Sequence, residues 1–386
     1  MITGTSTADG IKTAAAHGRR AGAVYLSLGI PAWNEEKTVG PALESLFRQS
    51  LFSKLNQRAG CCEIVFLANG CTDRTSAIAE NIFTEQAARH PHRAAFFCRS
   101  LELQERGKIP AWNSFVHQLS EPEARYLFLM DADILIEGPE TLWNMITTLE
   151  MNPDAAIATD RPKKSISGKL KKSWSERLSL GAAQVTQAGE AQLCGQLYCI
   201  RSEIARRIYL PKDLSACEDG FIKAVVCTDF LTRELNRARI LAAPGAAHTF
   251  AAYTSISRIL KNQKRQMIGQ AMVHILVDDY LRTLAVAARK NLAVTLAEKD
   301  RADPFWLKRL IKDHVQRTKY FWRLIPGLAA FRFKGLAKIK GGRKVIYFPA
   351  AVAGFIVSMI SCFSAYRFLK RGYVRYWPHG KSADSE

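Results

Sequence analysis

From Val24 to about Ala158, short apolar runs alternate with stretches whose apolar residues recur at helical spacing. The apolar runs are VYLSLGI, EIVFLAN, AAFFC and RYLFLM, and the helical stretches after them contain ALESLF, TSAIAENIF, IPAWNSFVHQL and LWNMITTL. This alternation is typical of βαβ units in a mostly parallel sheet that helices cover. The pattern therefore predicts an α/β, Rossmann-like domain, which we place at residues 23–254.

Long helical patterns replace the strand pattern after residue 254 and continue through Ala330. Apolar residues share the faces of these helices with basic ones, and aromatic residues are interleaved. This arrangement is typical of helices that lie between lipid headgroups and water. We therefore expect basic amphipathic, interfacial helices over residues 255–344.

An apolar segment at residues 345–366 contains no charged residue over 22 positions. As a helix it would reach about 33 Å, enough to cross a hydrocarbon core of roughly 30 Å. We expect one transmembrane helix here. A re-entrant hairpin broken at Pro349, or a buried core helix, is the alternative.

The remaining segments lack periodicity. Residues 1–22 contain no apolar stretch of signal-peptide length, so we expect a mobile polar leader. Residues 367–386 form a basic tail. The basic stretch at residues 161–172 is expected to be a loop, either a solvated charge run or a loop with lysines beside a diphosphate.

Positive charge indicates which partners the chain can bind. The 55 Lys and Arg residues exceed the 35 Asp and Glu residues by 20, which favours polyanionic partners. FRFKGLAKIKGGRK, immediately before the apolar segment, has six basic residues and no acidic one. Such a cluster binds anionic lipid and stays on the cytosolic side. We therefore expect an anionic membrane surface, and no nucleic acid, as the partner.

Cysteine usage indicates the compartment of the catalytic domain. The nine cysteines include an adjacent pair, Cys61 and Cys62, but no CxxC pair. An odd count without such pairs is typical of reduced thiols used as small apolar residues. We therefore expect the protein at the cell membrane, with its catalytic domain on the cytoplasmic face.

The strongest candidate for chemistry is Asp131-Ala132-Asp133, directly after the apolar run RYLFLM. In an open α/β sheet, ligands bind outside the carboxyl ends of the strands. Two carboxylates at positions i and i+2 can leave the strand end together and bind a hard divalent cation such as Mn²⁺ or Mg²⁺. That cation can stabilise the leaving diphosphate of a nucleotide sugar. An ordinary acidic turn is the alternative.

Three further segments follow strands where a nucleotide donor would need them. The first is PAWNEE, with Pro31, Trp33, Asn34 and Glu36; the second is NGCTD, with Asn69; the third is GKIPAWN, with Lys108. Polar side chains in the first two can contact a base or ribose, although helix capping explains some of them equally well. Lysine at a loop-to-helix junction is suited to phosphate or ribose contact.

The ordered series PAWNEE, NGCTDRT, GKIPAWN and DAD resembles family 2 of the glycosyltransferases, which have the GT-A fold. The resemblance covers roughly residues 24–270. It implies a metal-dependent, inverting transferase in which Asp133 is a metal ligand and Asp131 lies by the ribose and diphosphate. It also implies that the PAWNEE and GKIPAWN segments hold the nucleoside.

The resemblance extends to the acceptor side. Cys217-Glu218-Asp219-Gly220 resembles the family's Glu-Asp pair, and a carboxylate can take the proton of an attacking hydroxyl, so Asp219 is the candidate catalytic base. Glu218, beside it, is a candidate acceptor-side residue. CGQLYCIRSE resembles the strand that lines the acceptor, which makes Gly195 and Gln196 candidate acceptor-side residues. His248 is a candidate metal or diphosphate contact, and a structural histidine is the alternative.

Two departures from the family pattern limit the assignment. Ala68-Asn69-Gly70 stands where many members have Asp-Asp-Gly, so the donor base stays open, with UDP as the default. The nearest match to the Gln-x-x-Arg-Trp motif of processive members is Asn262-Gln263-Lys264-Arg265-Gln266, which lacks the tryptophan. This argues against a polymer-making synthase, and Arg265 remains a candidate diphosphate contact.

The expected activity is transfer of one sugar to a hydroxyl of a lipid or lipid-linked acceptor at the membrane. Two alternatives stay open. A sugar-1-phosphate nucleotidyltransferase shares the sheet and the carboxylates, but it would usually have a glycine-rich loop after the first strand. A non-catalytic basic membrane scaffold would need neither a donor site nor Asp219.

Overall fold

A computed structural model describes residues 11–18, 22–165, 193–214, 217–251, 255–328 and 343–374. Nine strands in these ranges form one sheet with the order β1-β4-β3-β2-β5-β8-β7-β9-β6. The strands are β1 Ile11–His17, β2 Ala23–Ala32, β3 Gly60–Ala68, β4 Phe96–Leu103, β5 Tyr126–Met130, β6 Ile134–Glu137, β7 Ile157–Lys164, β8 Leu197–Arg201 and β9 Ile240–Phe250.

The centre of the sheet is parallel, as the alternation of apolar and helical patterns predicts. Strands β4, β3, β2 and β5 run parallel to one another, and all four coincide with the predicted apolar runs. Their carboxyl ends therefore meet at one edge. Strand β8 pairs antiparallel with both β5 and β7, and β9 pairs parallel with β7 and antiparallel with β6. The expected mixed α/β sheet is confirmed.

Helices cover both faces of the sheet. They are α1 Val39–Phe47, α2 Leu51–Gln57, α3 Thr75–Arg89, α4 Lys108–Ser114, α5 Thr141–Met151, α6 Ser202–Ala205, α7 Glu218–Cys227, α8 Ile256–His274, α9 Val286–Lys290, α10 Leu292–Ala302, α11 Trp306–Arg317 and α12 Arg343–Lys370. An apolar core lies on each face of the sheet, and alternate residues of β5 belong to different cores. Tyr126 and Phe128 belong to the core that includes α1, and Leu127 and Leu129 belong to the core that includes α4. A strand buried on both faces has no polar position, which explains the continuous apolar run.

Two predicted segments differ from the sequence-based expectation. The 1–22 leader was expected to be mobile, but Ile11–His17 is an edge strand paired antiparallel with β4. Backbone hydrogen bonds to a neighbouring strand order this segment, although its composition gives no strand signal. The 161–172 stretch begins as strand too, because Arg161–Lys164 pair with β9. Residues 1–10 and 19–21 of the leader lie outside the described residues, and so do residues 166–172.

Within the described part of the chain, the strands end before the helices α8 to α12, as predicted. Helix α12 is continuous through Pro349, so the hairpin broken at this residue is not formed. One of its faces, with Ser358, Cys362, Ala365 and Leu369, is buried against the protein. Of the expected basic cluster at residues 331–344, residues 331–342 are not among those described, and neither is most of the basic tail, 375–386.

The opposite face of α12 is apolar and exposed. Phe348, Ile356, Ile360 and Phe363 each have about half of their surface exposed, and the last three recur at helical spacing. Residues 351–370 are long and apolar enough to cross a membrane, with 28% of the most apolar window buried inside the protein. The helix thus has one face on the protein and one apolar face that is about half exposed, with Phe363 at its edge in contact with Phe321.

Candidate functional site

The loops after β2 and β3 are tied together at the carboxyl edge of the sheet. Asn34, whose φ of 53° is left-handed, accepts a hydrogen bond from the backbone N–H of Thr72 at 2.8 Å. The backbone N–H of Glu36 donates to Asp73, and the Glu36 carboxylate is 3.5 Å from the Arg74 guanidinium. Asparagine tolerates this conformation better than most residues. Asn34 and Glu36 therefore hold the two loops together, whether or not they also contact a ligand.

Two buried polar atoms lie at the ends of β2 and β3 without a hydrogen-bond partner in the described structure. They are the indole nitrogen of Trp33 and the Oδ1 oxygen of Asn69, a residue only 4% exposed. Pro31 pairs with Leu67 in the sheet, and the backbone N–H of Asn69 donates to the carbonyl of Ala32. A buried polar group without a partner costs free energy unless a ligand or water satisfies it. This edge therefore offers one donor and one acceptor to a ligand.

Lys108, the first residue of α4, holds together three distant parts of the chain. Its Nζ lies 2.7 Å from the Asp131 carboxylate and 3.0 Å from the Glu218 carboxylate, and it donates to the carbonyl of Gly195 at 2.8 Å. An ammonium group has three donors, and all three are used. The end of β5, the start of β8 and the start of α7 therefore meet at one lysine.

This ion cluster perturbs the ionisation of its members. Burial disfavours the charged form of Lys108, but Asp131 and Glu218 outweigh it and raise its pKa well above the usual value. For Asp131, burial prevails over the attraction of Lys108, and Asp133 adds repulsion, so the pKa of Asp131 is raised. Burial works against ionisation of Glu218 as well, but Lys108 outweighs it and lowers the pKa. Lys108 therefore favours the ionised form of Glu218, whereas at Asp131 it does not outweigh the effect of burial.

Asp219 lies next to this cluster at the start of α7. Burial and the negative charge of Glu218 raise its pKa to about 6. Its Oδ1 accepts a hydrogen bond from the backbone N–H of Gly220 at 2.8 Å. The preceding residue, Cys217, has a left-handed φ of 60°, a strained conformation for a non-glycine residue. A carboxylate with a pKa near the working pH is suited to accept a proton.

The residues at the end of β5 fit a divalent cation. Asp131 and Asp133 are half-buried on either side of the buried Ala132, and they can supply two oxygen ligands. Burial and the repulsion of Asp133 raise the pKa of Asp131, and a bound cation would offset both effects. Within the described ranges, no three His, Cys, Asp or Glu side chains are already arranged around one metal position. Mg²⁺ is commonly held by one or two carboxylates with substrate phosphates and waters, so two carboxylates are enough.

Gln196 connects this strand end to His248. Its carbonyl accepts from the backbone N–H of Asp131 at 2.8 Å, and its side-chain oxygen lies 3.5 Å from Nε2 of His248. The other ring nitrogen, Nδ1, is 2.6 Å from the Asp160 carboxylate, and both side chains are fully buried. A carboxylate on one ring nitrogen is the usual partner of a metal-binding histidine, and it also suits a structural one. The metal role of His248 stays a prediction.

Helix α8 reaches the site from the other side. The sulfur of Cys217 lies 3.7 Å from the carbonyl of Gln266, and the positive charge of Arg265 works against burial, the main cause of the raised pKa of Asp219. The structure therefore brings Arg265 close to the acid pair. Its contact with a diphosphate remains a prediction.

Two residues near the site were missed by the sequence analysis. Asp160 was not considered because it lies within β7, away from any strand end. Arg106 lies over Gly70, where an added Cβ would be 2.8 Å from its Nε atom. Its position directly before Gly107 and Lys108 was the available signal. Arg106 is exposed and is a further cation beside Asn69.

A comparison with known protein families agrees with the resemblance seen in the motifs. Residues 27–206 match the family described as glycosyl transferase family 2. Among solved structures, S. aureus TarS 1-349 matches with 14% identity and a TM-score of 0.45, over 93% of this chain and 95% of that chain.

A mannosyltransferase, PcManGT from Pyrobaculum calidifontis, in complex with GDP-Man and Mn²⁺, matches with 17% identity and a TM-score of 0.47, over 91% of this chain and 84% of that chain. A comparison with curated proteins gives no match.

Proposed function

Since residues 27–206 match glycosyl transferase family 2, we propose that the chain transfers a single sugar, with inversion, from a nucleotide-diphosphate sugar to an acceptor hydroxyl. One observation carries the proposal. Lys108 joins Asp131, at the end of β5, to Glu218, beside the candidate base Asp219. A donor-binding strand end and a proton acceptor are thus neighbours, although more than 80 residues separate them in sequence.

Asp219 performs the proton transfer in this proposal. Its carboxylate takes the proton of the acceptor hydroxyl as the oxygen attacks the anomeric carbon. The bond between that carbon and the diphosphate oxygen breaks, and the electron pair leaves with the nucleoside diphosphate. Attack from the face opposite the diphosphate inverts the configuration. Glu218, held ionised by Lys108, and Gly195 and Gln196 position the acceptor.

Asp131, Asp133 and His248 would hold a divalent cation, Mn²⁺ or Mg²⁺. When bound, such an ion supplies positive charge that stabilises the leaving diphosphate. Lys108 lies on Asp131 and can contribute positive charge on the same side. Arg265 lies beside the acid pair and can contact the diphosphate.

The nucleoside is proposed to bind at the ends of β2 and β3. The Trp33 indole N–H and the Asn69 Oδ1 are buried there without partners in the described ranges, and Asn34, Glu36 and Pro31 shape the adjoining loop. A base with one acceptor and one donor would satisfy both atoms. This supports nucleoside recognition but does not select one base.

The acceptor is proposed to be a lipid or a lipid-linked glycan at the cytoplasmic face of the cell membrane. The support is the exposed apolar face of α12, a helix that also packs on α8, which carries Arg265. An apolar face beside basic residues binds an anionic membrane surface. A site attached to the membrane in this way is close to acceptors that lie in it.

Donor binding tests the proposal directly. With Mn²⁺ present, detergent-solubilised protein is expected to bind one class among UDP-, GDP- and dTDP-sugars and to hydrolyse it slowly to free sugar without acceptor. Isothermal calorimetry and product analysis measure the two effects. The matched control is the same panel with the metal chelated. Absence of donor binding with metal, or formation of sugar 1-phosphate, would contradict the proposal; the latter indicates nucleotidyl transfer.

Gly195→Ala tests whether the acid pair is positioned by close packing. A Cβ at this glycine would lie 2.9 Å from Oε1 of Glu218 and 3.5 Å from Cβ of Asp219. We expect transfer to fall by roughly 10- to 100-fold, because a shift of about 1 Å near reacting groups has this effect. Donor binding should change little. The assay is the initial rate of transfer, or of donor hydrolysis.

Gly40→Ala is the matched control for this substitution. The nearest side chain to its added Cβ is that of Ile78, at 3.7 Å, an ordinary van der Waals contact. Its rate should equal that of the unmodified protein. If Gly195→Ala were as active as Gly40→Ala, the acid pair would not depend on this contact.

A further inference from the structure

Helix α12 packs against the protein along its C-terminal half. It contacts α8, α11 and the short helical turn Phe321–Arg323. The Tyr366 hydroxyl donates to the carbonyl of Thr318 at 2.9 Å, and the Cys362 sulfur lies 3.4 Å from the carbonyl of Phe321. The residues that this half buries recur at helical spacing: Ser358, Ser361, Cys362, Ala365, Tyr366 and Leu369. The C-terminal half of α12 is therefore fixed to its neighbouring helices.

The neighbouring helix α11 is too charged to enter a hydrocarbon core. Its exposed side chains include Lys308, Arg309, Lys312, Asp313 and Arg317. Lys312 lies beside the end of α12, since a Cβ added at Gly372 would be 3.7 Å from its Cδ atom. Charged side chains at the centre of a bilayer are costly. The part of α12 that lies beside α11 is therefore expected to stay outside the hydrocarbon core.

The rest of α12 is too short to cross a bilayer by itself. Residues 343–357, which precede the packed half, number 15, and as a helix they reach about 22 Å. A spanning helix needs about 20 apolar residues to cross roughly 30 Å. If the packed half entered the bilayer as well, α8 and α11 would enter with it. The composition of α12 therefore fits a membrane span, but its packing does not.

The exposed face of α12 combines apolar and basic side chains. Its apolar residues, each about half exposed, are Phe348, Ile356, Ile360 and Phe363. At the C-terminal end of this face, the Arg367 guanidinium lies 5.9 Å from the centre of the Phe363 ring. The same ring contacts Phe321, with ring centres 5.4 Å apart. The exposed face therefore continues onto the turn that contains Phe321.

Aromatic and basic residues surround this turn. Tyr320 and Trp322 are 39% and 49% exposed, and their rings stack with centres 4.7 Å apart. Nζ of Lys319 and the Arg323 guanidinium lie 5.7 Å and 5.6 Å from the centre of the Tyr320 ring. Tryptophan and tyrosine are enriched where lipid headgroups meet water. The turn is therefore suited to headgroup level, beside the apolar face of α12.

The charge of this region indicates what covers the exposed face. Residues 314–383 contain no Asp or Glu, and basic residues occur throughout. Anionic lipid headgroups attract such a segment. A second copy of the chain would bring the same positive charge to the face, so the two copies would repel each other. An anionic bilayer supplies both an apolar layer and negative charge.

We propose that α12 lies in the plane of an anionic bilayer surface and does not cross it. Its exposed apolar face would lie among the outer parts of the acyl chains, with Tyr320, Trp322 and the cations beside them among the headgroups. The protein would then reach acceptors of one leaflet only. This inference rests on the proposed membrane attachment, which it restricts to one leaflet, and it does not depend on sugar transfer.

Depth along the helix distinguishes the two orientations. Phe348→Cys and Ile356→Cys are each labelled with a nitroxide, and the full-length protein is reconstituted with vesicles of phosphatidylcholine and phosphatidylglycerol. We expect both labels at the same depth, measured by EPR saturation with oxygen and a water-soluble nickel complex. Labelled unmodified protein gives the background from native cysteines. In a spanning helix the two labels would differ in depth by about 12 Å, and such a difference would overturn the proposal.

The side of the membrane on which α12 ends gives an independent test. Tyr373, just after α12, is 57% exposed, and Met151, at the end of α5 in the catalytic domain, is 76% exposed. In inverted membrane vesicles from expressing bacteria, a membrane-impermeant maleimide should label Tyr373→Cys and Met151→Cys equally. If Tyr373→Cys reacted only after addition of detergent while Met151→Cys reacted at once, α12 would span the membrane and the proposal would be wrong.

A charged substitution tests whether lipid or a second copy covers the face. Ile360→Asp should weaken vesicle binding at least about tenfold, because an apolar side chain is lost from the inserted face. Leu235→Asp changes a residue of the catalytic domain that is 55% exposed, and this matched control should bind like the unmodified protein. Normal vesicle binding by Ile360→Asp, with a dimer converted to a monomer in light scattering, would overturn the proposal in favour of a second copy.

Failure of the membrane attachment is distinguishable from failure of this orientation. Unmodified protein that does not bind the vesicles would overturn both, whereas bound protein with labels at unequal depths would overturn the orientation alone. Nucleotide-sugar binding should be the same in Ile360→Asp and Leu235→Asp, which supports a lipid-facing surface separate from the donor site. Failure of the transferase proposal would appear as absent donor binding in the unmodified protein, whatever the depth of the labels.

Discussion

Asp133→Ala is expected to abolish metal-dependent binding of the nucleotide-sugar donor, with a loss of roughly 100-fold or more. A contact between the cation and a donor phosphate contributes several kcal/mol to donor binding, and loss of one of the two carboxylate ligands greatly weakens binding of the cation. Calorimetric titration of the donor with Mn²⁺ measures the effect. The paired carboxylates after β5 are the feature that the variant tests.

Asp154→Ala is the matched control for this change. Asp154 is an exposed acidic residue in the turn before β7, away from the carboxyl edge of the central strands. Its variant should bind metal and donor normally. If Asp133→Ala bound the donor as tightly as Asp154→Ala, the proposed metal site would be wrong, and donor binding would have to depend on Lys108 and the nucleoside loops alone.

Asp219→Asn is expected to reduce the rate of transfer by roughly 10²- to 10⁴-fold while donor binding stays within a few-fold. That range is typical for removal of a positioned general base. Asparagine preserves the shape of the side chain and can still accept the hydrogen bond from Gly220. The measurement is kcat for transfer, together with donor affinity by calorimetry. A transfer rate equal to that of the unmodified protein would exclude Asp219 as the base.

The pH dependence follows from the same carboxyl group. The pKa of Asp219 is raised to about 6 by burial and by Glu218, and only its ionised form can take a proton. The rate should therefore rise with pH up to about 6 and level off above it. In the folded protein the ionised form is disfavoured relative to the unfolded chain, so the contribution of Asp219 to stability falls as the pH rises from about 3.8 to about 6 and stays constant above that.

A stability measurement distinguishes lost catalysis from lost folding. Asp219→Asn removes the buried charge, so its thermal midpoint at neutral pH should be equal to or higher than that of the unmodified protein. Its residual activity should also lack the rise near pH 6. An inactive variant with a lowered midpoint would point to unfolding instead of a missing base.

The sequence indicated the central sheet because its signals are local. The parallel strands β2, β3 and β5 are mostly apolar and buried on both faces, β4 begins with an apolar run, and the helices after these strands have apolar stripes of their own. The strand ends could also be located, since Asn69 and Asp131 follow those runs directly. Parallel strands place such residues at one edge whatever the detailed packing.

The edge strand β1 could not be predicted in this way. Its residues, IKTAAAH, carry little strand propensity, and pairing with β4 orders them through backbone hydrogen bonds. Backbone pairing requires no particular side chains. The sequence could not decide either which face of α12 is buried, because the same 22 apolar residues fit a membrane or a protein surface. Only the packing of α12 against α8 and α11 identifies the buried face.

The sequence by itself determined which residue types stand at the ends of the strands and the order in which they occur. Only the tertiary structure decided that Lys108 bridges Asp131 to Glu218, and that His248 is buried against Asp160. The physical reason is distance along the chain. The spacing of apolar residues indicates the surroundings of a residue only over a few helical turns or strand positions. These ion pairs join residues 23 to 110 positions apart, which come together only when the sheet has formed.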